Sequence, residues 1–240
     1  MELNERQQQI YALLQEKKSL RVKELARTLY VAEMTIRRDL TEMESAGYLH
    51  RYHGGAVLPD ERFASPIILR RYEHDTEKRR LAKRASAWLS DGISVFLDSS
   101  STTAYLIPHL TRYRGLSVFT NSVYSSCQLA EQHIPHHLLG GDYLEQDMCT
   151  VGSVTEEEAS RLNVDVAFFS IYAMTDDGLL TDYSALQQAV RRRILENAKA
   201  GVFLLESVKI HCPPSLYTLC RAEDVAAVLT PENDPLSPAD

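Results

Sequence analysis

Two helical patterns separated only by Val31 and Ala32 constrain this chain more than any other feature. The first runs over residues 22–30. In the second, Ile36, Leu40 and Met43 recur at i, i+4 and i+7, so they share one buried face. Thr35, Arg37, Arg38 and Thr41 are then directed elsewhere. Two short helices at a tight turn, the second with adjacent arginines on its outer side, form the layout of a helix-turn-helix. An α-helix fits the major groove of DNA, and a guanidinium fork bonds guanine O6 and N7 or grips a phosphate. The competing reading is a solvated basic face on an ordinary helix pair, and the flanking residues decide against it.

Upstream, Asn4 is placed to cap a helix with Ile10, Leu13 and Leu14 at helical spacing, ending near Lys17-Lys18-Ser19. Downstream, Gly47 suits the end of the third helix. Short β-prone segments around Gly54-Gly55 predict a tight hairpin. Three helices and a hairpin make a winged helix, whose wing would carry Arg51, Tyr52 and His53 beside the DNA backbone. Lys23 and Arg27 extend the basic face.

Charge supports the division. Residues 1–58 hold nine Lys/Arg and eight Asp/Glu, while the remainder holds seventeen and twenty-five, which together give the net −7. The acidic excess therefore lies outside the reading head. A near-neutral head gains little from bulk counterion release, so affinity must come from placed residues and from two heads acting together. A homodimer or tetramer on paired half-sites is expected. No stretch approaches the roughly 20 apolar residues that span a bilayer, and the start has no signal-peptide pattern, so a cytoplasmic protein is expected. The four scattered cysteines form no Cys-x-x-Cys pair. Neither a disulfide framework nor a cofactor is expected.

The order of domains reads as a winged helix-turn-helix over 1–58, a proline-bounded linker over 59–74, an α/β domain over 75–230 and a tail over 231–240. In the third segment, a basic amphipathic helix spans about 75–89, and Lys78-Arg79-Arg80 reads as a wet face or inter-domain contact. Strand patterns at 93–97, 116–120, 137–139, 164–171, 202–205 and 225–229 alternate with helical ones at 102–110, 122–132, 154–162 and 184–200. That alternation predicts a mostly parallel sheet covered on both faces. Ligands gather at the carboxyl ends of such strands. The first strand end, Asp98-Ser99-Ser100-Ser101-Thr102-Thr103, offers hydroxyls and a helix start to a phosphate, or caps a turn. Thr120-Asn121-Ser122 holds sugar hydroxyls or caps the next helix. Gly140-Gly141-Asp142 permits close approach to a ligand or makes a turn.

Val22-Lys23-Glu24-Leu25-Ala26, then Thr35-Ile36-Arg37-Arg38-Asp39-Leu40, then Arg51 with His53-Gly54-Gly55-Ala56 resemble the DeoR family of bacterial transcriptional regulators. The resemblance implies DNA binding by the head, with Lys23, Thr35, Arg37, Arg38, Thr41, Arg51, Tyr52 and His53 facing the duplex. It also implies a sensor domain related in fold to ribose-phosphate isomerases and CoA transferases, answering to a phosphorylated sugar. Asp98, Ser100, Ser101, Thr102 and Thr103 look like the family's Asp-x-Gly-Ser-Thr-Thr loop. Asn121, Gly140 and Gly141 fall at matching strand ends, and Lys209 in Glu206-Ser207-Val208-Lys209 would supply a cation for the effector. Departures are Ala32 for a capping Ser, Ser100 for Gly, Gln187 for Glu, Glu206 and Val208 for Asp and Ser, and a bulkier Ser170-Ile171-Tyr172-Ala173. Those in the sensor imply a pocket reshaped for an unusual ligand, or one weakened in ligand binding.

Two rival readings compete with the regulator. An isomerase-like enzyme would use Asp98 or Glu206 as base and Lys209 as electrostatic stabiliser. A metal site would draw on His133, His136, His137 and Cys149, but adjacent strand histidines point to opposite faces.

Overall fold

The computed structural model describes residues 3–17, 19–46, 48–52, 54–57, 67–71 and 73–231. His53, Gly47, most of the expected linker and nearly all of the tail lie outside them. The chain divides into two compact units, 1–70 and 71–240.

The first unit opens with α1 (Glu5–Lys17), followed by β1 (Ser19–Arg21), α2 (Val22–Thr28) and α3 (Glu33–Ser45). Strands β2 (His50–Tyr52) and β3 (Gly55–Val57) complete it. Asn4 and Gln7 cap α1 reciprocally: Gln7 N donates to Asn4 Oδ1 at 3.0 Å and Asn4 N to Gln7 Oε1 at 3.1 Å. The expected helix over 22–30 stops two residues early. Tyr30 takes φ 55°, and Val31 N bonds Ala26 O at 3.1 Å, the closing bond of a Schellman turn. At the head of α3, Ala32 offers no side-chain cap, yet the helix forms. The wing is three-stranded rather than a lone hairpin, in the order β1-β3-β2. Gly54, at φ +92°, makes its turn, while Gly55 already lies in β3. Ile10, Leu14, Leu25, Ile36, Leu40, Met43, Leu49 and Ala56 are buried together as the core of this unit.

A short helix, α4 (Ile67–Arg70), precedes the second unit, which runs from α5 (Asp75–Ala85) through β4 (Ser94–Leu97), α6 (Ser101–Ala104), α7 (Ile107–Leu110) and β5 (Ser117–Thr120). Next come α8 (Val123–Glu131), β6 (His136–Leu138), β7 (Asp142–Leu144), β8 (Cys149–Val151), α9 (Ser153–Ser160) and β9 (Val166–Phe169). The unit finishes with β10 (Ala173–Met174), β11 (Leu179–Asp182), α10 (Ala185–Asn197), β12 (Ala200–Leu204), β13 (Tyr217–Arg221) and β14 (Ala227–Leu229). Six strands form one parallel sheet, β14-β12-β9-β4-β5-β6. Alternate residues serve opposite faces. Val95, Leu97, Val166, Phe168, Val202 and Leu204 join one core, and Phe96, Ala167, Phe169, Phe203 and Leu205 the other. Both faces are covered, as a parallel sheet requires.

The helix expected over 102–110 is broken into α6 and α7. Pro108 has no N–H for the carbonyl of Ala104, and the chain turns through i→i−3 bonds at Tyr105, Leu106 and His109. The sequence reading also missed a β7–β8 hairpin and a small antiparallel sheet, β10-β11-β13. Connections leave β4 toward β5 and β9 toward β12, in opposite directions along the sheet. The carboxyl ends of β4 and β9 therefore flank a topological switch point.

Candidate functional site

In the head, burial of Ile36, Leu40 and Met43 fixes the phase of α3, leaving Arg37, Arg38 and Thr41 exposed and Thr35 half-buried. Arg37 pairs with Glu33 at 3.2 Å and Arg38 with Glu42 at 3.0 Å, each one helical turn away. Exposed pairs of this kind contribute about 0–1 kcal/mol, so a phosphate or guanine can displace them. Thr41 Oγ1 donates to Arg37 O at 2.8 Å. Arg51 of β2 reaches α3: its Nη1 donates to Thr41 Oγ1 at 2.5 Å, and its backbone N to Glu44 Oε1 at 2.7 Å. Lys23 and Arg27 are exposed on α2. The side chain of Tyr52 and all of His53 lie outside the described residues. Sequence reasoning missed Asp39, only 2% exposed. It accepts from Arg6 Nε at 2.5 Å and Nη2 at 3.0 Å, clamping α3 to α1. Its spacing from Ile36 and Met43, at i+3 and i−4, carried the signal.

In the second unit, the hydroxyl loop follows β4 and is buried throughout. Asp98 organises it. Its Oδ1 accepts from Ser100 N and Thr103 Oγ1, both at 2.9 Å, and its Oδ2 from Ser170 N and Arg191 Nε, both at 3.1 Å. Ser100 caps α6, accepting from Thr103 N at 3.2 Å. Because α6 is a single turn, its dipole adds little positive potential. The positive charge comes from side chains instead. Lys78, 2% exposed, donates to Ser101 Oγ at 3.1 Å and lies 3.6 Å from Glu206 Oε1. Thr102 Oγ1 donates to Glu206 Oε1 at 2.8 Å. Lys209 Nζ donates to Ser170 Oγ at 3.0 Å and pairs with Glu206 Oε2 at 2.8 Å. Burial disfavours the Glu206 carboxylate, but Lys209 and then Lys78 outweigh it and hold its pKa down to about 2.

In the basic cluster of α5, Arg79 and Arg80 are exposed as a wet face should be, but Lys78 is buried. It stands three and four residues before Leu81 and Ala82 and seven before Ala85, on the apolar stripe. A second group was also missed. Arg191 bridges Asp98 and Asp182, its Nη1 lying 2.5 Å from Asp182 Oδ2, and bonds Gln187 Oε1 at 2.9 Å. Gln187 also accepts from Ser99 Oγ at 2.9 Å and donates to buried Asp147 at 2.5 Å.

The remaining expected positions are held by other elements. Asn121 is buried and donates to Thr150 O at 2.9 Å, tying the end of β5 to β8. Gly140 and Gly141 are exposed beyond β6. At Gly141, φ +140°, a Cβ would meet Thr155 Oγ1 at 1.9 Å, so the bare backbone serves packing against α9. His133 takes φ 55° at the Schellman stop of α8, and His136 bonds Ser126 Oγ and Ile134 O. No group of three His, Cys, Asp or Glu side chains suited to a metal occurs among the described residues.

Residues 6–62 match the family model of a DeoR-like helix-turn-helix domain, and residues 73–232 match that of the DeoR C terminal sensor domain. The chain belongs to the DeoR family. It is a DNA-binding transcriptional regulator with a helix-turn-helix head and an α/β sensor domain. This DeoR-family chain is 30% identical over 237 residues to a lactose phosphotransferase system repressor of Staphylococcus epidermidis, covering 96% of this chain and 92% of the other. It is also 30% identical over 210 residues to an L-fucose operon activator of Escherichia coli, covering 86% of each. Among solved structures it is similar to ribose 5-phosphate isomerase A from Methanocaldococcus jannaschii, at 18% identity and a TM-score of 0.43 over 57% of this chain and 55% of that one. No helix among the described residues is long and apolar enough to cross a membrane.

Proposed function

We propose that this chain is a cytoplasmic repressor of carbohydrate genes, binding paired operator half-sites as a homodimer or tetramer and controlled by a phosphorylated sugar. The observation that carries the reading is the pairing, in one DeoR-family chain, of an exposed Arg37-Arg38 face with two lysines at a strand switch point. Arg37, Arg38 and Thr35 contact base edges or phosphates from the major groove, while Lys23, Thr41, Arg51, Tyr52 and His53 position the head on the backbone. In the sensor, Ser101, Thr102 and Lys209 with Lys78 hold the phosphate. Asp98, Ser100 and Thr103 shape the loop, and Asn121, Gly140 and Gly141 border the sugar. Regulation follows from differential affinity of the effector for the DNA-bound and released arrangements.

We read the pocket as that of a sensor and not of an isomerase. Every Asp98 carboxylate oxygen already accepts two hydrogen bonds, and Glu206 is held at a pKa of about 2, far below that of an effective base near neutrality.

The test is operator binding by Arg37→Ala and Arg38→Ala. An arginine that makes a bidentate base contact should cost about 1–3 kcal/mol on the specific site and much less on random DNA. Unchanged discrimination in both variants would defeat the assignment of α3 as the reading element.

A further inference from the structure

Among the described residues, the two most exposed large apolar side chains stand together at the turn into α3: Tyr30 at 94% and Met34 at 75%. A single exposed hydrophobe on a surface means little, so position has to decide what these do. The buried side of α3 is set by Ile36, Asp39, Leu40 and Met43. At about 100° per residue, Met34, Arg38 and Thr41 then fall in one row on the opposite side, at i, i+4 and i+7. The Thr41 end of that row is tied to the wing, since Arg51 Nη1 donates to Thr41 Oγ1 at 2.5 Å. The Met34 end lies in the first turn of the helix, the part that a recognition helix sets against base edges. Charge favours an apolar contact there. The helix carries Glu33, Asp39, Glu42 and Glu44 against Arg37 and Arg38, so it enters a polyanion with little electrostatic gain of its own.

We propose that Met34 is a specificity-determining residue of the reading head, recognising the C5 methyl group of a thymine in each half-site. The inference rests on the operator reading above and adds to it a base and an atom. In the major groove thymine shows a methyl group beside its O4 acceptor, and the other three bases show none. Arg37 and Arg38 can bond guanine or phosphate, but a guanidinium does not tell a methyl group from a hydrogen. A thioether can, because it is unbranched, polarisable and free to turn toward an apolar neighbour. The contact takes two apolar surfaces out of water and exchanges no counterion. It therefore adds discrimination that the charges of α3 do not supply.

The experiment uses the full chain and an operator selected with it from random duplexes. Each thymine of a half-site is replaced in turn by deoxyuridine, which removes the methyl group and keeps every hydrogen-bonding group. Wild type should lose affinity at one thymine, or at two neighbours, by about fourfold, the factor that burial of one methyl group supplies. Met34→Ala should bind the thymine and deoxyuridine duplexes equally at that position. Met34→Leu, which keeps an apolar side chain, should retain most of the difference. Met34 lies outside the core of its unit, so both variants should melt as wild type does. Should Met34→Ala fold poorly, Met34→Gln, which replaces the apolar tip by an amide, should lose the difference in its place. A thymine that stays methyl-sensitive in the folded Ala or Gln variant would overturn the proposal, and so would an operator with no methyl-sensitive thymine. Either result leaves operator binding standing. A selection that enriches no sequence would instead remove the operator reading and the methyl contact together.

Discussion

A buried lysine needs a carboxylate beside it, and in this sensor Glu206 meets buried Lys78 and half-buried Lys209. That arrangement leaves a mark on acid stability. Glu206 has its pKa lowered from 4.5 to about 2 in the folded chain, so its contribution is complete above the unfolded value and is lost as pH falls from 4.5 toward 2. The melting temperature of the sensor should decline across that interval, and the decline should be shallower in Glu206→Gln. Equal slopes in the two proteins would show that other carboxylates govern the acid limb. At this scale the site was half legible. Thr102 and Lys209 stood out by resemblance, and the phase of α5 places Lys78 on the apolar stripe, though a lysine there reads at first as solvent-facing. Arg191 and Asp147 gave no such signal. Arg191 has nearer partners in Gln187 and Asp182, but its bond to Asp98 spans 93 residues, and that of Asp147 to Gln187 spans 40, so only the folded chain ties them to the loop.

Among elements, α3 was the most legible, because three apolar residues set its phase and its neighbours then had to face outward. Its weak point is the start. Ala32 is exposed, takes an extended N-cap conformation and offers no side-chain acceptor to Thr35 N. Ala32→Ser should stabilise the head by about 0.5–2 kcal/mol, seen as a later urea midpoint for its unfolding transition. An unchanged midpoint would mean that the Glu33 side chain and tertiary packing already hold the turn. The parallel strands were legible for a related reason: apolar runs bounded by polar loops, buried on both sides. Among the missed strands, β7, β8 and β10 have three residues or fewer, too few for a period of two to register, whereas β11 and β13, with four and five, were passed over. The division of α6 from α7 was present in the sequence as Pro108, whose missing donor was outweighed in the reading by the helical spacing around it.

For the whole molecule, the segregation of charge matters most. The reading head carries about one net positive charge, and the rest of the chain carries eight negative ones. Long-range attraction to DNA is therefore weak, and binding has to come from short-range contacts repeated on more than one half-site. The species on an operator should sediment with at least two 27.2 kDa chains, and affinity should fall steeply once protein is diluted below its self-association range. A single chain saturating the operator would remove the need for paired heads.

The helix α5 gives this arrangement a mechanical meaning. It is the first element of the second unit, opening at Asp75 just past the division after Arg70. It carries both Lys78, which lies beside Glu206, and Glu77, which accepts from Ser207 N in the turn that follows β12. An anion that shifts Lys78 therefore acts on the first helix of the sensor directly, with no strand in between.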